Sequence, residues 1–190
     1  MIDILYEPFR RWSDGGSVYI ISDLHLDDPD CKYMDRDWIK PEEQIKLINK
    51  VAKARDTFVC LGDVGDKEYA ARIRAGHKVL IIGNHDRKTD YLDIFDEIYD
   101  GPLFISKKIV LSHEPIMLAE KQSGSEFCVN IHGHNHNWTG SDPYHLNLAA
   151  NVYGWKPANL GALIKYGLVS GVRDIHRCAI DEAKNPGGIR

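Results

Sequence analysis

Five apolar segments of strand length end in residues that can bind metal or transfer a proton, and this recurrence constrains the fold more than any other feature. In the clearest case, residues 79–82 are followed by Gly83, Asn84, His85 and Asp86. A buried strand that ends in polar groups delivers them to the carboxyl edge of a sheet, where open α/β folds place their sites. The segment therefore predicts a functional site at that edge.

Four other apolar segments end in the same way. They are residues 18–22, followed by Asp23 and His25; residues 57–61, followed by Gly62, Asp63 and Asp66; residues 109–112, followed by His113; and residues 127–131, followed by His132, His134 and His136. Amphipathic segments lie between them, among them residues 41–54, which open with a proline and two glutamates as helices do. This alternation predicts an α/β layered domain.

The remaining elements are predicted from weaker patterns. Helices are expected at 68–75, 90–95, 157–166 and 173–184, strands near 103–105 and at 144–148, and an extended segment at 149–155. Residues 1–17 are expected to form an N-terminal extension and residues 185–190 a tail. Without a repeat or a linker, all 190 residues are expected to form one domain, with the motifs between about 18 and 148.

Composition excludes several classes of protein. The chain is 27% charged and 43% hydrophobic, no apolar segment approaches the ~20 residues that span a bilayer, and the first residues lack the features of a secretory signal. Cys31, Cys60, Cys128 and Cys178 form no C-x-x-C pair, so we expect free thiols and a cytoplasmic location. The net charge of −4 argues against binding nucleic acid mainly through its phosphate backbone, although bound metal ions would permit phosphate chemistry.

The polar residues at the strand ends can be sorted into two metal sites. One contains Asp23, His25, Asp63 and His136, and the other contains Asp63, Asn84, His113 and His134. Because Asp63 is needed in both, we expect it to bridge two ions ~3.5–4 Å apart that activate a water between them. Nitrogen and oxygen ligands without thiolate suit Mn, Fe, Zn, Co or Ni; ligand type does not choose among these, and we take Mn as the first candidate.

Five more residues are candidates around these sites. His85 is free to protonate a leaving oxygen, and Asp86 could hold its ring. Asp66 is expected to orient a ligand. Arg87 either grips a phosphate oxygen or is an ordinary exposed loop residue, and Asn135 either contacts substrate or shapes its turn.

Other histidines and basic residues are expected to have no part in the site. Those interpreted as structural or solvent-facing are His77, His132, His145, His176, Arg72, Arg74, Lys107 and Lys108.

Taken in order, the motifs D-x-H, G-D-x-x-D, G-N-H-D, a single strand-end histidine and G-H-x-H resemble those of the calcineurin-like metallophosphoesterase superfamily. They stand here at 23–25, 62–66, 83–86, His113 and 133–136. The resemblance implies a two-sheet β-sandwich flanked by helices, with four α/β/β/α layers, and in-line attack of a metal hydroxide on phosphorus. It implies the same two ligand sets and His85 as the proton donor. Residues 144–163 resemble a small bacterial and phage branch without a capping domain.

We therefore expect a dinuclear metal-dependent phosphoesterase that hydrolyses a small phosphodiester or phosphomonoester, such as a nucleotide, in an open site. One alternative is a nuclease acting on single strands or ends, which a basic groove beside the metals would support and the acidic net charge opposes. Another is a non-catalytic protein-binding scaffold on the same fold, against which the intact ligand set and the retained His85 argue. The oligomeric state does not follow from the sequence.

Overall fold

The first of two mixed β-sheets carries the strands that lead to Asp23, Asp63 and Asn84. The computed structural model describes residues 16–35, 37–105, 109–117, 129–137 and 144–166. In it, β1 (Val18–Ile21), β2 (Thr57–Cys60), β3 (His77–Ile81), β4 (Glu97–Tyr99) and β9 (Ala158–Asn159) form the order β4-β3-β2-β1-β9. The first four strands are parallel, and β9 pairs antiparallel with β1. The parallel strands β1, β2 and β3 consequently end at one edge.

The second sheet carries the strands that lead to the histidines. Its strands are β5 (Leu103–Phe104), β6 (Ile109–Leu111), β7 (Val129–His132) and β8 (His145–Asn147), in the order β5-β6-β7-β8. The β5–β6 pair is antiparallel and the other two are parallel. The backbone N–H of Ser22 donates to the carbonyl of Leu148 at 3.0 Å, so the two sheets are joined directly beside Asp23.

The core lies between the two sheets and between the first sheet and its helices. Ile20 and Val79 of the first sheet belong to one buried cluster with Ile131 of the second. On the opposite face of the first sheet, Phe58 and Ile48 are both 0% exposed. Because its central strands are buried on both faces, they read in sequence as continuous apolar runs.

Ile48 belongs to α2 (Pro41–Val51), which follows α1 (Cys31–Met34); the predicted helix at 41–54 is present and ends slightly early. The predicted fold class is confirmed, since the chain forms two mixed sheets flanked by helices.

Cys31 and Cys60 are buried free thiols as expected, and burial raises the pKa of Cys31 to about 12. None of the helices in the described ranges has the length and hydrophobicity to cross a membrane.

The helix predicted at 90–95 is wrong. A 3₁₀ turn at Lys88–Asp90 is followed by further turns and then by β4, which the sequence pattern did not predict. Tyr91 and Phe95 are spaced four residues apart, as on a helix, and each is only 5% exposed. Pairing of β4 with β3 requires extended backbone from Glu97 onward, so the chain completes a single turn between these rings.

Other predicted boundaries also differ from the structure. The segment expected to be extended at 149–155 contains α4 (Ala150–Tyr153), which ends at Gly154 with a left-handed φ of 79°. The helix expected at 157–166 is α5 (Leu160–Lys165), because the preceding residues pair with β1 as β9. The helix expected at 68–75 is one turn, α3 (Lys67–Ala70). The predicted helix at 173–184, most of the N-terminal extension, the tail, Cys128 and Cys178 lie outside the described residues.

Candidate metal centre

Side chains from five strand ends converge at one place. Carboxylate and imidazole atoms form two groups whose members lie within 4.8 Å of one another: Asp23, His25 and His136, and Asp63, His113 and His134. Asn84 joins the second group, because its Oδ1 lies 2.8 Å from His113 Nε2 and 3.1 Å from His134 Nδ1. The structure thus brings together all the residues predicted as ligands, in the two sets predicted.

Asp63 lies between the groups. Its Oδ2 is 3.5 Å from His25 Nε2 and 3.4 Å from His113 Nε2, and the residue is only 1% exposed. Its other oxygen, Oδ1, accepts the backbone N–H of His85 at 2.9 Å. One carboxylate oxygen therefore faces both groups while the second is fixed by the backbone, which is the geometry a bridging ligand requires.

The hydrogen bond at Nδ1 of His113 leaves the lone pair of Nε2 facing two oxygen acceptors of the site. Its Nδ1 lies 2.9 Å from the carbonyl oxygen of Leu61, so Nδ1–H donates and Nε2 of the neutral ring is an acceptor. That atom faces Asn84 Oδ1 and Asp63 Oδ2. Three acceptors directed at one point repel one another unless a cation lies between them, so the donor set fits a divalent ion.

His25 is arranged similarly. Its Nδ1 lies 2.9 Å from Asp28 Oδ2, and its buried Nε2, directed at the site, has no hydrogen-bond partner among the described residues. A carboxylate behind a ligating histidine fixes its tautomer and raises its basicity. Asp28 was not predicted, although its position three residues after His25, in a loop, could have suggested it.

Asn151 holds His136 through two hydrogen bonds. Its Oδ1 accepts from His136 Nδ1 at 3.0 Å, and its Nδ2 donates to the His136 carbonyl at 3.0 Å. The ring consequently presents Nε2 toward Asp23 Oδ1, 3.5 Å away. Asn151 was not predicted either, and no local sequence signal identifies it, since it lies on α4 in a segment expected to be extended.

The backbone at the site adopts conformations that few residues tolerate. Asp23, His25, Asp63 and His134 have φ values of 56°, 40°, 53° and 67°, in the left-handed region. Such conformations cost of order 1–3 kcal/mol each and persist only where the surroundings impose them. One such contact is the His134 N–H, which donates to the fully buried Asp23 carboxylate at 2.9 Å.

Two glycines of the sequence motifs lie so close to an aspartate of another motif that no larger residue fits. A Cβ on Gly83 would lie 2.2 Å from Asp63 Oδ1, and a Cβ on Gly133 would lie 2.1 Å from Asp23 Oδ2. Neither contact is possible without displacing a carboxylate. The glycines of G-N-H-D and G-H-x-H therefore leave room for the aspartates of the other motifs.

His85 lies at the open side of the centre, where its residue is exposed and its ring centroid is 5.3 Å from that of His25. Asp86 does not serve the His85 ring as predicted. Its carboxylate accepts backbone N–H groups from Asp63 and Gly83 at Oδ2, at 2.8 and 2.9 Å, and from Val64 at Oδ1, at 2.9 Å. Asp86 thus orients the backbone that carries Asp63.

The other predicted residues occupy the periphery. Asp66 is the N-cap of α3, accepting from the N–H groups of Glu68 and Tyr69, and this capping role replaces the predicted orientation of a ligand. The carbonyl of Asn135 accepts from the Asn147 side chain at 2.7 Å, which favours a role in shaping the turn. Arg87 is exposed at the N-terminus of the 3₁₀ turn.

His25 and the carboxylates beside it shift one another's pKa values. Burial acts to lower the pKa of His25, but the carboxylates of Asp63 and Asp28 outweigh it and raise that pKa. Burial acts to raise the pKa of Asp63, but His25 and His113 outweigh it and lower that pKa. The metal-free cluster therefore favours a protonated imidazole beside an ionised carboxylate, and a binding cation would displace that proton.

An aromatic wall borders the first group of ligands. The Trp38 ring lies with its centroid 5.7 Å from that of His25, 5.6 Å from that of His136 and 4.9 Å from that of Trp155. This tryptophan was not predicted, because it follows the first motif in a loop without a recognisable pattern. Its contacts restrict the two imidazoles that it touches.

Comparison with known proteins agrees with these observations. Residues 16–171 match the family model described as calcineurin-like phosphoesterase. No curated protein matches the sequence significantly. A solved structure, that of a protein of unknown function, AQ665, from Aquifex aeolicus, is similar with a TM-score of 0.62 and 24% identity over 80% of this chain and 99% of that chain. This likeness supports the fold alone.

Proposed function

Since this chain belongs to the calcineurin-like phosphoesterase family, and is therefore a metal-dependent phosphoesterase, we propose that it hydrolyses a small phosphodiester or phosphomonoester, such as a nucleotide. The two groups of candidate ligands would hold two divalent ions, with Mn as the first candidate. The observation that carries the proposal is Asp63 Oδ2, which lies 3.5 and 3.4 Å from the Nε2 atoms of two histidines in different ligand groups.

Each ligand group would hold one ion. Asp23, His25, His136 and Asp63 would hold the first, and Asn84, His113, His134 and Asp63 would hold the second. When bound, two divalent ions act as Lewis acids on the phosphoryl group and generate the nucleophile from water. Asp28, Asn151 and the Leu61 carbonyl keep three ligating imidazoles in the tautomer that presents Nε2.

His85 donates a proton to the leaving oxygen. Its ring is exposed beside the first ligand group, while its backbone N–H is fixed to Asp63 Oδ1 at 2.9 Å. An imidazole that belongs to neither ligand set is free to exchange its proton with substrate. The exposed side chains of Asn84 and Arg87 lie on either side of it in sequence, so substrate approaches from this side.

The proposal is tested by hydrolysis of bis-p-nitrophenyl and mono-p-nitrophenyl phosphate with Mn²⁺, with chelator, and in His85→Ala. We expect metal-dependent turnover that falls by about 10²- to 10⁴-fold in the variant, the usual contribution of a general acid. His77→Ala is the matched control, because His77 is engaged with Glu97 at the start of β3. Diester preference supports a phosphodiesterase and monoester preference a phosphatase.

Two results would count against the proposal. Turnover that is unchanged in His85→Ala would remove the proton-donor role. Purified protein that binds no metal and hydrolyses neither compound would favour the non-catalytic scaffold.

A further inference from the structure

An open groove runs along the outer side of α2. Lys46 and Lys50 of α2 line one side, and Arg72 and Arg74 line the other. The groove has a volume of about 500 Å³, and the buried residue Ile45 also lines it. Four cations thus surround one concave surface.

Asn49 fixes the two walls relative to each other. Its Nδ2 donates to the carbonyl of Arg72 at 2.8 Å, and its Oδ1 accepts the backbone N–H of Arg74 at 2.8 Å. These paired hydrogen bonds tie the 72–74 segment to the helix. The spacing of the cations across the groove is therefore set by the backbone rather than by mobile side chains alone.

The cations are available to a ligand. Throughout the described ranges, none of the four forms a salt bridge. Glu42, the acidic residue of the lining, accepts a hydrogen bond from the Tyr69 hydroxyl at 2.8 Å, and the Arg72 guanidinium lies over the same ring at 4.4 Å. The lining thus carries four cations and one carboxylate, that of Glu42. This excess of positive charge attracts an anion, even in a chain whose net charge is −4.

The groove is separate from the metal centre, since none of the predicted metal ligands lines it. Lys46 and Lys50 lie one helical turn apart, ~6 Å along the axis, with arginines opposite. This arrangement suits a chain that carries an anion on each unit. Arginine forks bind phosphate oxygens bidentately, and a nucleic-acid strand carries a phosphate at every nucleotide.

We propose that this groove, defined by Lys46, Lys50, Arg72 and Arg74, binds the phosphate backbone of single-stranded nucleic acid. Binding here uses no metal ligand and does not depend on hydrolysis. The proposal assigns phosphate binding to Arg72 and Arg74, which were expected from the sequence to be solvent-facing.

The test is fluorescence anisotropy of a labelled 12-nucleotide oligo-dT with the full chain in chelator, so that no hydrolysis occurs. The groove variant is Lys46→Glu/Arg74→Glu, and the matched control is Lys156→Glu/Lys165→Glu, which changes the net charge equally at exposed positions elsewhere. We expect wild-type affinity to fall roughly 20- to 50-fold between 50 and 200 mM salt, as contact with three to four phosphates predicts. The groove variant should lose at least about tenfold in affinity and the control should lose little.

Three results would overturn the proposal: no binding of the oligonucleotide by wild type at low salt, equal losses in both double variants, or competition by polyglutamate as effective as that by unlabelled oligonucleotide. Unfolding midpoints establish that the variants are folded, and Lys46→Gln/Arg74→Gln replaces the groove variant if it is not. Hydrolysis of the nitrophenyl phosphates should be unchanged in the groove variant. A failure of this site is therefore distinguishable from a failure of the proposed hydrolysis.

Discussion

Asp86 supports Asp63 from behind, because its Oδ2 accepts the Asp63 backbone N–H at 2.8 Å and its two oxygens also accept the N–H groups of Val64 and Gly83. Asp63 in turn presents one oxygen to His25 and to His113. The second aspartate therefore belongs to the apparatus that positions the shared ligand. It joins the G-D-x-x-D loop to the G-N-H-D loop.

Asp86→Asn should weaken both metal binding and folding. An amide offers one acceptor and an NH₂ group, and the NH₂ group would face a backbone N–H that also donates. Losing these charge-assisted bonds should cost about 1–3 kcal/mol in the free energy of unfolding, measured in urea. Asp66→Asn is the control, because Asp66 caps α3 and its substitution should leave metal content unchanged. Wild-type stability and metal content in Asp86→Asn would contradict this account.

Gly83→Ala should abolish binding of at least one ion. The new Cβ would lie 2.2 Å from Asp63 Oδ1 and 2.5 Å from the Asp63 backbone nitrogen, so the ligand or its strand end must shift. Gly101→Ala is the matched control, since a methyl group added there would meet no atom within 4 Å, and it should change stability by no more than about 0.5 kcal/mol. Metal content after gel filtration measures the difference. Equal metal content in the two variants would show that metal binding does not depend on the close approach of Gly83 to Asp63.

Asn151→Ala should selectively weaken the site that contains His136. Without Asn151, the His136 ring loses the acceptor at 3.0 Å that fixes its tautomer. Removal of such a partner typically costs 10- to 100-fold in metal affinity, so we expect a loss of roughly this size at one of two sites. Asn159→Ala is the control, because it removes a helix cap on α5. Competition titration with a chromophoric chelator measures both affinities, and equal weakening of both sites would contradict the assignment.

The five strands that carry the candidate ligands followed from the sequence because each depends on local order. A run such as residues 57–60 is buried on both faces, and Asp63 follows it after a glycine that the chain needs at φ 101°. Short-range pattern is sufficient for such features.

Features set by contacts between distant residues did not follow. The pairing of Glu97 with Val79 overrode the helical spacing of Tyr91 and Phe95. Asn151 contacts His136, 15 residues away in sequence, because α4 comes directly after β8 and lies beside the site. The hydrogen bonds that Asp86 accepts from the Asp63 loop join residues 22 and 23 positions apart. Nothing in G-N-H-D distinguishes them from a contact with the neighbouring His85.

Metal binding should stabilise the folded chain strongly. Asp23 and Asp63 are 0% and 1% exposed, and buried carboxylates and imidazole lone pairs that converge without a cation destabilise the native state. At a free Mn²⁺ concentration 100 times the dissociation constant, we expect about 2.7 kcal/mol of added stability for each occupied site, relative to chelator. Thermal unfolding in Mn²⁺ and in chelator measures it. Asp63→Asn should lose most of the difference, because it weakens the ligand shared by both groups, whereas Asp66→Asn should keep it. Identical midpoints for wild type in Mn²⁺ and in chelator would show that these residues do not hold a metal in the folded state.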